Sequence, residues 1–350
     1  MPQLTPLKYL LTLSLAATAV VAFSLQGWWT FLPIAYAFGM VPLLEFLLPA
    51  DRENLSQTEE ALAKDNSFYD WMIYAIVGAQ YILLGVFLWQ VSQPGLEWYE
   101  YLGLIQTMGL LCGTYGINVG HELGHRRKKH ERFLAKASLL TSLYMHFYIE
   151  HNRGHHKRVA TEDDPASARY GEWVYTFWFR SIIEGYKSAW DLEKNRLENR
   201  GLAFWSWKNE MVRFTVIQGA FLLLIALVFS PLTVLYFVVA ALMGALLLET
   251  VNYIEHYGLA RNQLTSGGYE RVQPHHSWNS NHVFGRLLLF ELSRHSDHHY
   301  IAARPYQILR HHDDTPQMPT GYPGMMLLSL VPPLWFRIMH REIERLPVTA

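Results

Sequence analysis

The chain has 350 residues, room for one large domain or two small ones; 51% are apolar, 14% are aromatic and the formal net charge is −1. One cysteine, Cys112, excludes an internal disulfide and a built-in iron centre held by four thiolates. No nucleic-acid partner is expected. The apolar residues gather in long runs, and this is the first strong signal. A bilayer core is about 30 Å thick, so a spanning helix needs about 20 mostly apolar residues. Six stretches meet that length: 8–25, 28–48, 70–91, 101–120, 212–230 and 231–254. Gln26-Gly27 joins the first pair and Ser230-Pro231 the last, where Pro231 cannot continue the preceding helix. The first run is too long for a signal peptide and has only Lys8 before it, so it reads as a span.

Basic residues orient these spans. All 29 Lys and Arg except Lys8, Arg52 and Lys64 lie in 126–213 or after 260. Lys and Arg accumulate on the cytoplasmic side, and six spans with both termini cytoplasmic satisfy that rule in every loop. The expected fold is an all-α integral membrane protein: six transmembrane helices in one domain, 1–350, with a cytoplasmic histidine-rich helical cap. The cap comprises 126–211 and 255–350. Within it, 133–156 reads as a buried or re-entrant helix, TEDDPAS (161–167) as a polar turn, and 172–200 as an amphipathic helix at the interface or core. Residues 266–280 are turn-rich, 287–299 read as a helical run, and the segment after Pro332-Pro333 reads as a helix along the membrane surface.

Seventeen histidines are unevenly placed. HELGH (121–125) ends the fourth span, EHNRGHH (150–156) follows in the cap, His256 ends the sixth span in NYIEHYG, and RHSDHH (294–299) closes the set. His121 and His125 are four apart and share a helix face, as do His151 and His155, with His156 beside them; His295, His298 and His299 are spaced likewise. Nine imidazoles at one membrane face are too many for one metal and suit two. Imidazole serves iron, copper, zinc and nickel, so spacing alone leaves the metal open. Each cluster has an acid beside it: Glu122, Glu150, Glu255 and Asp297. These four are expected to orient imidazoles on other helices, as acids around metal-bound histidines do. His130 reads as solvated and His146, His311, His312 and His340 as structural; one of His275, His276 and His282 could line the site.

Together HELGH, EHNRGHH, NYIEHYGL and RHSDHH, with ATEDDPASAR (160–169) and LRHHDDTPQMPTGYPGMMLLSLVPPLW (309–335), resemble the alkane 1-monooxygenase family of membrane di-iron hydroxylases. The histidine boxes alone are shared with fatty acid desaturases, whereas NYxEHYG is particular to the alkane hydroxylases. The third box departs slightly, reading Ser293 and Tyr300 where the family has Gln and Ala. The resemblance implies a site of two non-haem irons bound by His121, His125, His151, His155, His156, His256, His295, His298 and His299. It implies terminal hydroxylation of linear alkanes with O2, electrons from rubredoxin and its NADH-dependent reductase, and a bacterial inner-membrane location. The basic cytoplasmic surface would suit an acidic carrier, although the topology rule already explains most of that charge. On the fourth span, the face of His121 continues back through Ile117, Thr114 and Leu110, which are expected to line an apolar substrate channel.

Three other functions share some of these features. HELGH also fits a zinc metalloprotease with Glu122 as base, but Lys128 and Glu131 stand where the extended motif needs Gly and His. A fatty acid desaturase or hydroxylase is the closer rival. A metal transporter would want ligands midway along its spans, and the first three spans have no histidine.

Overall fold

The computed structural model describes residues 2–346; Met1 and 347–350, the two ends of the expected 1–350 domain and its expected cytoplasmic termini, lie outside the described residues. Those described form an all-helical fold with no strand, only two isolated bridges. α1 (Pro6–Leu25) and α2 (Gly27–Leu47) make a hairpin. Its turn is tight enough to put Gln26 and Gly27 both at positive φ. The short α3 (Gln57–Asp65) starts at a capping box, where Ser56 Oγ accepts from the Glu59 N–H and the Glu59 carboxylate accepts from the Ser56 N–H. α4 (Phe68–Val91) follows.

α5 runs over 98–124, as Trp98–Leu111, a wide π-helical turn Cys112–Asn118, and Val119–Gly124. The cap begins with α6 (Lys129–Leu140) and α7 over 147–158, again with a wide turn at His151–His155. The long amphipathic α8 (Val174–Glu198) leads to the hairpin of α9 (Glu210–Val228) and α10 (Pro231–His256). Ser230 caps α10 by accepting from the Thr233 N–H. α11 (Val283–Leu288), α12 (His295–Tyr300), α13 (Tyr322–Ser329) and α14 (Pro332–Glu344) complete the chain.

Five helices, α1, α2, α4, α9 and α10, are long and apolar enough to cross a membrane. The fourth expected stretch, now α5, falls short of them because Gln106, Asn118 and a run of glycines interrupt it. Burial explains why it tolerates this composition: most of 103–124 is enclosed by other helices and need not face lipid. By contrast, α9 leaves Val216, Leu223, Leu224, Leu227 and Val228 exposed, as a lipid-facing helix would.

Two expected helices are broken. The 133–156 run splits at 141–146 into α6 and α7. The 287–299 run is also two pieces, because Phe290 and Glu291 sit at positive φ. That strained turn is held by Glu291, whose buried carboxylate accepts from Arg286 Nε at 2.7 Å and Tyr9 Oη at 2.7 Å. The turn lets α12 point its histidines inward.

α5 packs tightly against α10. A Cβ at Gly244 would lie 2.6 Å from Cys112 Cβ and 3.0 Å from the Gly113 backbone N. The backbones therefore meet at a contact only glycine permits. Gly244→Leu will lower the melting temperature in detergent and reduce metal content, since overpacking costs about 1–3 kcal/mol and pushes His256 away from His121's helix. Unchanged melting and metal content would show that this contact does not set the distance.

Candidate metal centre

Four helices deliver imidazoles to one place. His121, His125, His151, His156 and His298 have ligand nitrogens within 4.8 Å of one another, and His155, His256, His295 and His299 form a second such group. These are the nine residues singled out by sequence, but the helical spacing did not predict how they divide. His151 and His155, four apart, go to different groups. The wide turn at 151–155 rotates the helix so that His156 comes over His151, their Nε2 atoms 2.9 Å apart. His298 and its neighbour His299 also part company.

The Nε2 atoms face inward. Separations are 2.9 Å for His121–His298, 3.1 Å for His125–His151 and 3.1 Å for His156–His298. In the second group they are 3.2 Å for His155–His299 and 3.2 Å for His256–His295. Two nitrogens each about 2.1 Å from a metal and at right angles would lie about 3.0 Å apart, so these spacings fit a shared ion. A neutral imidazole has one donor and one acceptor nitrogen. His298, His156 and His151 each turn a single Nε2 toward two others, a convergence that a cation resolves better than hydrogen bonds can. An all-imidazole set suits iron, copper or zinc.

Three of the four neighbouring acids behave differently from expectation. Glu122 binds Arg126, at 2.9 Å to Nε and 2.7 Å to Nη2, and accepts weakly from the Tyr306 N–H. Asp297 takes Arg304, His312 and the Arg310 N–H. Burial would raise its pKa, but these three partners hold it below the usual carboxylate range. Glu150 binds Arg158 at 2.6 Å and Ser188 at 3.2 Å. None of these three hydrogen-bonds to any of the nine imidazoles. Each follows its histidine or precedes it by one residue, so its side chain is turned about 100° from the metal and finds an arginine instead. Only Glu255 reaches an imidazole, and on the inward side: its Oε2 is 3.1 Å from His295 Nε2, while Oε1 accepts from Tyr322 Oη at 2.6 Å.

Sequence reasoning missed the acid that does support a ring. Asp164, in the polar turn 161–167, meets His155 Nδ1 at 2.9 Å and accepts from Ser167 Oγ at 2.6 Å. Burial alone would raise its pKa; His155 and Ser167 outweigh it and keep the carboxylate ionised. The available signal was an acid nine residues after His155, across a turn able to fold back. Among the other histidines, His312 serves Asp297, and His340 Nε2 lies 2.9 Å from Tyr257 Oη.

Beside the histidines lies a cavity lined almost wholly by apolar side chains, as sites for apolar small molecules are. It touches His121, His151 and His295 at one end and continues past Thr114, Gly113 and Leu110 of α5. Ile117, expected on this face, does not line it and is fully buried elsewhere. The wide turn at Cys112–Asn118 shifts the register by one residue, so Gly113 and Asn118 take the face that straight-helix spacing gave to Ile117.

Comparison with known proteins follows the same line. The fatty acid desaturase family profile matches residues 96–329. Alkane 1-monooxygenase 1 of Alcanivorax borkumensis is 39% identical over 94% of this chain and 82% of its own length. An alkane 1-monooxygenase of Pseudomonas putida is 40% identical over 89% of this chain and 77% of its own. The xylene/toluene monooxygenase hydroxylase component of Pseudomonas putida is 27% identical over 96% of this chain and 88% of its own length.

Proposed function

The chain belongs to the alkane 1-monooxygenase family, within the wider fatty acid desaturase family, and on that premise we propose that it hydroxylates the terminal carbon of linear alkanes with O2 at a centre of two irons. It is an integral membrane protein and an oxygen-dependent oxidoreductase. The observation that carries the substrate class is an apolar cavity ending on converging imidazoles. His121, His125, His151, His156 and His298 would hold one iron, and His155, His256, His295 and His299 the other. When bound, the irons supply the oxygen activation that side chains cannot.

The protein's own part is placement and exclusion of water. An alkane has no polar handle, so the cavity must hold it by shape and present a methyl to the metals. A fatty acid would want a cation for its head group. The cavity's lining holds no Lys or Arg and its one carboxyl is Glu255, which favours the alkane over the desaturase substrate. Glu122, tied to Arg126, is not free to serve as a protease base.

In this reading α5 is the sixth span, both termini are cytoplasmic, and the whole chain is one domain in a bacterial inner membrane. The loop between α2 and α4 supports placing it on the histidine side: Asp51 binds Arg286 and Glu60 binds Arg310. The 350 residues have one cysteine, buried Cys112, so they carry no four-thiolate iron centre. Electrons would come from a separate rubredoxin with its NADH-dependent reductase. Purified protein should contain two irons per chain and convert alkanes to 1-alkanols when supplied with these donors. One zinc per chain, or products formed only from fatty acids, would sink the reading.

A further inference from the structure

A second, smaller cavity lies beside the histidines, and its lining mixes polar and apolar side chains where that of the first is almost wholly apolar. It touches His151 and His155, one from each group, and its walls include Glu150 and Glu249. Asn252 borders both cavities. Glu249 stands on α10 and is 3% exposed. Its carboxylate accepts from Tyr144 Oη at 2.8 Å, from Asn252 Nδ2 at 3.2 Å and from Ser181 Oγ. Among the described residues no Lys, Arg or His nitrogen lies within 4.0 Å of it, whereas Glu150, Glu193, Glu210 and Glu291 all have such partners.

A buried carboxyl with no cation is expensive as a permanent charge. Its surroundings can accommodate either state, since the Tyr144 and Ser181 hydroxyls rotate to donate or accept. The titratable groups facing it from the elements packed around the cavity are Tyr144, His146, Glu150, His151 and His155. His146 is neutral, its pKa lowered to about 4 by burial. Toward solvent, Glu150 connects through Arg158 and Ser188, and Arg158 is 27% exposed.

We propose that Glu249 is a proton carrier for the monooxygenase reaction, passing protons from the Glu150 and Arg158 side of the second cavity to the histidine centre while the substrate occupies the apolar one. This rests on the monooxygenase reading above. That reaction takes one alkane, one O2, two electrons and two protons. One oxygen atom is inserted into the C–H bond and the other leaves as water; the redox partner supplies the electrons, and solvent must supply the protons. In the apolar cavity, which substrate would fill, the one carboxyl is Glu255, held between Tyr322 and His295. The second cavity places Glu249, a carboxyl without a cation partner, beside Glu150, His151 and His155.

Two measurements on the intact protein test this. In the infrared spectrum of the resting protein, a buried carboxylic acid gives a carbonyl band that shifts in D2O. The band should exchange within the mixing time and be missing in Glu249→Gln. In the wild-type minus Glu249→Gln difference spectrum, which cancels the bands of the other buried carboxyls, the absence of a band or a band that does not exchange overturns the proposal independently of any turnover.

In turnover with alkane, O2 and electron donor, Glu249→Gln keeps the hydrogen bonds to Tyr144, Ser181 and Asn252 within an isosteric side chain. Alkanol formation should fall about 10- to 100-fold. Reductant consumed per alkanol should rise, peroxide should be released, and the solvent isotope effect should grow, with iron content unchanged. Glu249→Asp should recover part of the coupling. A merely structural Glu249 would leave the coupling ratio and the isotope effect at wild-type values in Glu249→Gln, and that result overturns the proposal while leaving the functional reading intact. If the wild type forms no alkanol, the functional reading fails and the proton role fails with it.

Discussion

His298→Ala and His299→Ala will empty different metal positions although the two residues are adjacent. His298 Nε2 sits 2.9 Å from His121 Nε2 and 3.1 Å from His156 Nε2, in the five-histidine group. His299 Nε2 sits 3.2 Å from His155 Nε2, in the four-histidine group. Losing one ligand of four should cost more affinity than losing one of five. Iron should therefore fall to about one per chain in His299→Ala, while His298→Ala should hold a weakened second iron that a chelator removes first. Alkanol formation should drop by at least about 10³-fold in both, because neither iron does the reaction alone. Asp164→Asn gives a milder form of the His299 result. It removes the charge beside His155 Nδ1 and should weaken the four-histidine metal by about 10- to 100-fold. Iron counting with chelator competition decides the matter. If His298→Ala and His299→Ala lose the same iron, or if the five-histidine metal responds to Asp164→Asn, the partition drawn from the geometry is wrong.

The sequence revealed what depends on composition and recurrence. Long apolar runs gave the membrane helices, and four histidine clusters at one bilayer face gave the candidate ligands. It could not reveal what depends on local departures from ideal helix. Two wide turns, at 112–118 and 151–155, change which residues share a face. The first removes Ile117 from the cavity; the second pairs His151 with His156 rather than His155. The broken helix at Phe290-Glu291 is of the same kind, since its positive φ values are stabilised by Tyr9 and Arg286, the first of them 281 residues away from Phe290 in sequence. Glu122, Glu150 and Asp297 depart from expectation for a simpler reason: a residue next to a ligand on a helix is turned away from that ligand's metal, and of the four acids only Glu255 meets an imidazole from another helix. Asp164 was legible only as a polar turn, because its partner is set by a fold-back and not by periodicity. Glu249 lay within an apolar run, where one acid did not disturb the span and drew no notice.

Thr114→Trp and Leu110→Trp should both shorten the preferred alkane, and Thr114→Trp should shorten it more. Both side chains line the apolar cavity on α5, which leads to His121. At 1.5 Å per residue, Thr114 stands roughly 10 Å and Leu110 roughly 16 Å along the helix from His121. A bulky ring nearer the metals leaves a shorter room for the chain. Each methylene lost from the apolar cavity removes about 0.8 kcal/mol of binding, so displacing two should shift the kcat/KM ratio of long to short alkanes by about 15-fold. Ile117→Trp separates this effect from general damage. Ile117 is buried outside the cavity, so its substitution should overpack the core by about 1–3 kcal/mol and lower stability while leaving chain-length preference as it was. Product profiles over a series of alkanes, beside melting curves for the three variants, give the answer. A shortened preference in Ile117→Trp, or the reverse order for Thr114 and Leu110, would mean that the substrate does not lie along this face of α5. A steric limit that moves outward with the substituted residue would instead fix the direction in which the alkane enters: methyl first, toward the imidazoles, with its tail along the central helix.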